Sequence, residues 1–539
     1  MIIPAPLCRL TVLLTAIFAT VTGHLAGVSS LQPGDRIVFI GDSITGQGAN
    51  SPQGWMHLID EALRATQPGK TYSLIALGGS GQGVSTWMHV EKKSREENFA
   101  LDVKANDVKT NLDQPADVII SMLGMNDVLF PRVADTPESA ERWAADYTKL
   151  IQTLRERVTP RVFAVATPTL CTEDYASPKN RVMRDLIAQL TTLAVNENCV
   201  VLPTHETMRE FLDQGRRASP QFHVTSDFVH PNNAGHVAIA VGMLRGLGET
   251  TAADWLQKKQ APHIFKPRPL SWRIERLNTE SRSLGAPESF RIRYYRNAPR
   301  SSASSVALDV PACWRVVSRR HPDATGGEFV VEGVPARLTT MFQLTADGEE
   351  ADLSIPAPWL IGTTNIGRTG WQGGTFNPAI NPVPLDDVFS KGEGFGQPAE
   401  LAPGRTLSWS HYIGSIDYGG GNAPGAVDMA GVSFFQNFDV AYGVRWIHSP
   451  AKRPVGVRIR RLGFVSPSHL TVWVNGKDVY TGQLSAAPST EIPATLNPGW
   501  NALVFKSNNW QVQWQFAIDL LGEDLDSLQV SAVPPDSSK

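Results

Sequence analysis

A chain of 539 residues exceeds what a single hydrophobic core can organise, so two to four domains are expected. Apolar residues make up 42%, enough for ordinary globular cores. A formal charge of −3, with no long run of one sign, argues against nucleic acid or an anionic membrane as the main partner.

At the N-terminus, Arg9 precedes an apolar run from Leu10 to about Val21, and small and polar residues follow through Ser30. About a dozen apolar residues are too few to span a bilayer and fit a secretory signal peptide over residues 1–30. Export to a periplasm, a cell surface or the medium is therefore expected, with Gly23, Ala26 and Ser30 all open as cleavage positions. No later segment reads as a membrane span. Cys8 lies in this leader and leaves Cys171, Cys199 and Cys313. Cys171 follows the fourth expected strand and Cys199 starts the fifth, which in a parallel sheet puts them on opposite edges, roughly 16 Å apart. A disulfide tolerates only about 7 Å between α-carbons, so no disulfide framework is expected.

From Gln32 to about Lys258 strands alternate with helices. The apolar, β-branched runs Ile37–Ile40, Tyr72–Leu77, Val118–Leu123, Val162–Thr167 and Val200–Leu202 read as strands. Gly54–Thr66, Pro137–Arg157, Pro178–Asn196 and Asn233–Leu247 read as helices, the third with Val182, Leu186, Leu190 and Leu193 along one stripe. Such alternation predicts a parallel sheet covered by helices on both faces, a three-layer α/β domain over residues 31–260. The polar stretch between Gly83 and Ala116 reads as helix plus loop flanking the site, a solvated insertion with a lid as the alternative.

A break is expected at Gln260–Pro269. Beyond it, short β-branched and aromatic segments separated by Gly and Pro predict two all-β sandwich domains. The first is small, of immunoglobulin or fibronectin type III kind, over 263–355, and Pro356-Ala-Pro358 marks its end. The second spans 356–530 and carries Asn475-Gly476, a two-residue hairpin signal. A disordered tail, 531–539, follows. Ten of the fourteen tryptophans lie after residue 262, and burial in sandwich cores is their expected fate.

The chemistry concentrates where strands end. Ser43 comes two residues after the strand Ile37–Ile40 stops at Gly41. Gly78 and Asn126 lie in Gly-containing turns directly after the second and third strands. Open parallel sheets bind ligands beyond the carboxyl ends of their strands, which places all three on one edge. Asp227 and His230, three residues apart, supply a carboxylate and an imidazole. A serine hydroxyl needs a neighbouring base to act as a nucleophile. His230 is the expected base, with Asp227 orienting it. The backbone N–H of Ser43, the N–H of Gly78 and the side-chain amide of Asn126 are the expected donors to an oxyanion. This combination predicts acyl transfer without a cofactor. His223 and His236 flank the last block, yet no H-E-x-x-H or paired-cysteine spacing accompanies them, and no metal is expected.

The blocks GDSIT, GGSG, GMND and DFVHP, in that order across Arg36 to His236, resemble the SGNH (GDSL-type) esterase and acylhydrolase family, with Gly54–Trp55 placed as often found after the first block. The resemblance implies a flavodoxin-like three-layer domain and a Ser43–His230–Asp227 triad. It implies hydrolysis of carboxylic esters through an acyl-enzyme, and it sets Gly78 rather than Gly79 as the oxyanion donor. Where that family commonly has Asn two residues before the block II glycine, this chain has Ala76, which puts the geometry of that loop in question. Asp42 and Asp127 are expected to bond loop amides. The segment from His469 to Lys506 is loosely similar to jelly-roll galactose-binding-like modules of secreted glycan enzymes. Together with export, this points to an acylated small molecule or a glycan as substrate, with acetyl as the expected acyl group and polysaccharide binding by the C-terminal domains. A lipase, lysophospholipase or thioesterase, and an inactive hydrolase-like adhesion or glycan-binding protein, stay open as alternatives.

Overall fold

The computed structural model describes residues 30–101, 106–130, 132–175, 177–219, 222–227, 229–277, 287–297, 306–323, 325–366, 371–372, 375–376, 384–413, 427–429, 439–461, 469–482, 489–509, 515–533 and 535. The expected signal peptide lies outside the described residues except for Ser30.

Five parallel strands form the first sheet: β1 (Arg36–Asp42), β2 (Ser73–Gly79), β3 (Val118–Met122), β4 (Val162–Ala166) and β5 (Val200–Leu202), in the order β2-β1-β3-β4-β5. This is the flavodoxin-like order, whose topological switch point lies between β1 and β3, and a ligand crevice is expected beyond the carboxyl ends there. The strands are continuous apolar runs because helices cover both faces. Val38, Ile40, Leu77, Val118, Ile119, Ala164 and Val165 are all fully shielded from solvent.

Ten helices connect and flank these strands: α1 (Ser43–Asn50), α2 (Trp55–Thr66), α3 (Val84–Glu96), α4 (Val108–Leu112), α5 (Met125–Leu129), α6 (Pro137–Val158), α7 (Pro178–Asn196), α8 (Thr204–Ala218), α9 (Asn233–Gly246) and α10 (Thr250–Ile264). Thr136 and Ser177 cap α6 and α7 through their side chains, each followed by a proline in the first turn. Helix α3 is the helix of the expected helix plus loop, and its first turns, ahead of the polar segment, pack inward. Val84, Trp87 and Val90 are buried against the core, and the Trp87 indole donates to the Gly41 carbonyl at 2.7 Å. Helix α10 ends at Ile264, inside the expected break at Gln260–Pro269, with Pro262 in its last turn. No disulfide joins Cys171, Cys199 or Cys313.

Two antiparallel sandwiches follow. In the first, a four-stranded sheet of β6 (Leu270–Arg276), β7 (Glu288–Arg296), β10 (Gly326–Gly333) and β9 (Trp314–Asp323) faces a three-stranded sheet. The latter comprises β8 (Val306–Asp309), β11 (Thr339–Ala346) and β12 (Glu349–Pro356). Phe290, Ile292, Phe329, Phe342, Leu344 and Leu353 share the core between them. Strand β12 ends at Pro356 and β13 (Pro358–Asn365) begins in a different, seven-stranded sheet, which packs on a four-stranded sheet around Trp359, Ile459, Val472 and Phe505. Trp314, Trp359, Trp446 and Trp473 are buried, as expected of sandwich tryptophans, whereas Trp500 is 41% exposed. The chain does not fray at 530: Ser531 pairs with Trp446 and Ala532 is buried, which corrects the start of the expected tail. Among the described residues no helix is long and apolar enough to cross a membrane.

Candidate active site

Ser43 begins α1 rather than lying in a loop. The Asp42 carboxylate is the cap, its Oδ1 accepting the Ile44 N–H at 2.8 Å. That frees the Ser43 hydroxyl from the capping role a serine at this position usually takes. Ser43 Oγ is instead 3.0 Å from His230 Nε2. As the first helical residue, Ser43 also has a backbone N–H with no acceptor inside the helix.

His230 and Asp227 come from the segment between α8 and α9. Thr225 bridges Pro231, Ser226 N–H donates to the His230 carbonyl at 2.9 Å, and the Asp227–His230 turn is the tip of this small hairpin. Asp227 Oδ1 accepts the N–H groups of His230 at 2.7 Å and Val229 at 3.1 Å, and Oδ2 lies 2.7 Å from His230 Nδ1. A carboxylate on Nδ1 fixes the proton there and leaves the Nε2 lone pair for the serine hydroxyl. Behind the turn, Asn232 caps α9 and donates to the His223 and Thr225 carbonyls.

The electrostatics follow from this arrangement. Burial alone would lower His230, but the bond to Asp227, the charge of Asp227 and then that of Asp42 hold it above its ordinary 6.5. Asp227 is opposed by burial, and the His230 bond and charge, with the two N–H donors, bring it below its ordinary value. Burial drives the Asp42 carboxyl up to about 7, against the pull of the Ile44 N–H and the His230 charge.

The remaining expected residues lie at the ends of β2 and β3. Gly78 pairs with Gly41 across the sheet and is buried against α1. A Cβ there would meet the Gly46 nitrogen at 2.5 Å and the Asp42 carbonyl at 2.7 Å. The need for glycine is thus a close approach of two backbones. Asn126, the second residue of α5, donates from Nδ2 to Asp42 Oδ2 at 3.1 Å and to the Gln82 carbonyl at 2.9 Å. The amide assigned to an oxyanion is therefore engaged by the block I carboxylate and the block II loop. Asp127 Oδ2 accepts the Val84 N–H at 3.1 Å, and Arg132 donates to the Gly81 carbonyl at 3.0 Å, so that loop is held from the α5 side. Asp42 and Asp127 both bond backbone amides, as read from sequence. At Ala76, where the family commonly has Asn, the backbone carbonyl accepts from Asn106 Nδ2 at 3.1 Å.

His223 and His236 do not converge on Asp227. His223 Nδ1 bonds Glu173 Oε2 at 2.8 Å, and burial lowers His236 to about 4. Among the described residues no group of three or more His, Cys, Asp or Glu could hold a metal ion. Glu173, in the loop after β4, bonds residues 223–225 of this hairpin and was missed in the sequence. No spacing links it to residues 223–225, and a lone glutamate in a loop carries no signal.

Residues 39–238 match the model of the GDSL-like lipase/acylhydrolase family. An acetylxylan esterase of Geobacillus stearothermophilus is 27% identical over 240 residues, covering 42% of this chain and 98% of that protein. The crystal structure of an acetylxylan esterase from the same organism is 24% identical, covers 41% of this chain and 96% of its own, and has a TM-score of 0.32. An α/β hydrolase enzyme from the metagenome of Lake Arreo, Spain, is 22% identical, covers 41% and 99%, and has a TM-score of 0.33. The family blocks lie on one edge of a flavodoxin-like sheet, inside the stretch that matches the GDSL-like lipase/acylhydrolase model, and the chain is a carboxylic ester hydrolase.

Proposed function

We propose that the protein is an exported serine esterase that removes acetyl groups from a glycan, with Ser43 as nucleophile, His230 as general base and then acid, and Asp227 as the group that orients and stabilises the imidazole. The observation that carries this reading is the continuous relay from Ser43 Oγ to His230 Nε2 at 3.0 Å and from His230 Nδ1 to Asp227 Oδ2 at 2.7 Å. His230 takes the hydroxyl proton as Ser43 attacks the ester carbonyl. The developing oxyanion accepts hydrogen bonds from the N–H groups of Ser43 and Gly78 and from the Asn126 amide. The imidazolium then protonates the departing sugar oxygen, and water, activated by the same imidazole, releases acetate. The glycan and the acetyl group draw support from the acetylxylan esterase that this chain resembles and from the two β-sandwiches that follow the hydrolase domain. Export draws support from the apolar run Leu10–Val21 behind Arg9.

The test is turnover of p-nitrophenyl acetate by the full chain beside Ser43→Ala, whose kcat is expected to fall by about 10⁴–10⁶. Equal rates would end the serine-esterase reading. Acetate release from acetylated xylan, with poor turnover of p-nitrophenyl octanoate, is expected; the reverse preference would make it a lipase-type acylhydrolase. N-terminal sequencing of protein recovered outside the cytoplasm should begin between residues 24 and 31.

A further inference from the structure

The hairpin that ends in Asp227 and His230 rests on one buried carboxylate. Glu173 is 1% exposed. Its Oε1 accepts from Val224 N–H at 2.9 Å, Thr225 N–H at 2.8 Å and Thr225 Oγ1 at 2.7 Å, and its Oε2 from His223 Nδ1 at 2.8 Å. Four donors from three consecutive residues thus converge on one side chain. Those residues lead into the tip, which returns through the single Thr225–Pro231 bridge, so fixing them restrains the position of the tip. The fifth donor is Arg216 of α8, 3% exposed, whose Nη2 reaches Oε2 at 3.1 Å and whose Nη1 reaches the Glu173 carbonyl at 3.3 Å.

Burial by itself would push the Glu173 carboxyl up. The bond from His223, the charges of Arg216 and His223 and the Thr225 bond overcome it and hold it below its ordinary value, so it is an anion at neutral pH. An ionised carboxylate saturated by five donors is a costly device for a loop that only links two helices. A neutral side chain could have satisfied two amides.

Arg216 also joins this cluster to the rest of the chain. The next residue, Arg217, turns outward at the end of α8, where its carbonyl accepts from Ser271 Oγ and from Asn297 Nδ2 at 3.0 Å, while Asp213 pairs with Arg273 at 3.2 Å. One turn of helix therefore touches the first β-sandwich on its outer side and Glu173 on its inner side.

We propose that Glu173 is a positioning residue for the reaction, clamping the hairpin 223–231 to the sandwich-docked end of α8 so that His230 Nε2 is held at bonding distance from Ser43. This rests on the reading of Ser43, His230 and Asp227 as the triad. A misplacement of about 1 Å in a general base costs on the order of 10²-fold in rate, whereas substrate binding does not depend on the imidazole. The effect should therefore fall on kcat.

Four full-length variants test it with p-nitrophenyl acetate, each assayed where circular dichroism shows it folded. Thr225→Val removes one donor and leaves the ion pair intact; His223→Leu removes another. Each is expected to lower kcat about ten-fold with KM within about two-fold. His223→Asn places an amide nitrogen where Nδ1 stood and should restore most of the kcat lost in His223→Leu, a rescue that a packing role would not give. Glu173→Gln should lose about 10²-fold in kcat. Folded Thr225→Val and His223→Leu proteins with wild-type kcat would overturn the proposal, as would a drop in melting temperature with no change in kcat. Ser43→Ala, run alongside, separates the two readings. If it turns over like wild type, the triad reading has failed. If it is inactive while the clamp variants run at wild-type rate, only the clamp has failed.

Discussion

The Asp42 carboxylate and the Asn126 amide are bonded at 3.1 Å, and this contact joins the first turn of α1 to the first turn of α5. With its other oxygen on Ile44 N–H, Asp42 spends both oxygens on fixing the two elements that flank the Ser43 hydroxyl. Asn126 is held by Asp42 on one side and the Gln82 carbonyl on the other, which orients the amide before any ester binds. To stabilise an oxyanion it must share a proton already donated. Asn126→Ala is therefore expected to lower kcat by about 10², at the lower end of what a lost oxyanion donor costs, with KM little changed. Steady-state kinetics on p-nitrophenyl acetate measures it, and a loss confined to KM would assign Asn126 to ground-state binding instead.

The same carboxyl makes a stability prediction. It ionises near 3.8 when unfolded and at about 7 in the fold, because burial penalises the charge. Between those values the folded chain keeps a proton that the unfolded chain has released, so this group weakens the fold as pH rises through the window. Asparagine still caps a helix. The melting temperature of Asp42→Asn relative to wild type should therefore climb between pH 5 and pH 8. A difference that stays constant across that range would contradict the raised value.

With His230 as the base proposed above, its ionisation sets the pH dependence of activity. As a base it must be neutral, and Asp227 and Asp42 hold its pKa above 6.5 against the effect of burial. kcat/KM is expected to rise with pH through a midpoint above 6.5. Asp227→Asn removes the bond and the charge and leaves burial, which favours the neutral ring. Its midpoint should move down while its rate falls by about 10⁴, since the wrong tautomer then faces Ser43. A midpoint unchanged in Asp227→Asn would mean that another group governs the acid limb.

These side chains differ in how visible they were before any coordinates. Ser43, Gly78 and Asn126 were legible because each follows a short apolar strand, and in a parallel sheet the strand ends share an edge. Asp227 and His230 were legible because three residues of separation suit a carboxylate folding back on a ring. Asp42 as the cap of α1 was not, since α1 is a short helix with little apolar periodicity and Ser43 read equally well as loop. Asn106 and Glu173 were invisible for a different reason. Each acts on backbone far away in the chain, Asn106 on Ala76 and Glu173 on 223–225, and a single polar residue in a loop leaves no pattern. Helix α8 was missed too, although it carries Arg216 and the contacts to the first sandwich.

Gly78 makes a steric prediction. A methyl group there would press on the Gly46 nitrogen and the Asp42 carbonyl, both backbone atoms of the Ser43 turn that cannot swing aside. Gly78→Ala is expected to push α1 away from β2, lowering kcat on p-nitrophenyl acetate by 10² or more and destabilising the fold by about 1–3 kcal/mol. Gly69→Ala serves as the comparison. Its Cβ would meet nothing, but its φ of +84° is costly for alanine, so it should lose stability at unchanged kcat. If both variants lose only stability, the approach of Gly78 to α1 has no bearing on the chemistry.

The outer side of α8 gives the last expectation. The Asp213–Arg273 pair is 35% and 25% exposed, and a pair so placed is worth about 0–1 kcal/mol, so Arg273→Ala should change melting little. Asn297 is different: its amide bonds the carbonyls of Arg217 and Arg268, which ties the end of α8 to the chain entering β6. Helix ends leave carbonyls without intrahelical partners, and here the first sandwich supplies the donors. Asn297→Ala should therefore speed amide hydrogen exchange in residues 214–219 and, through Arg216 and Glu173, lower kcat several-fold without altering KM. Faster exchange with an unchanged kcat would show that the sandwich steadies the helix but does not reach the hairpin that carries His230.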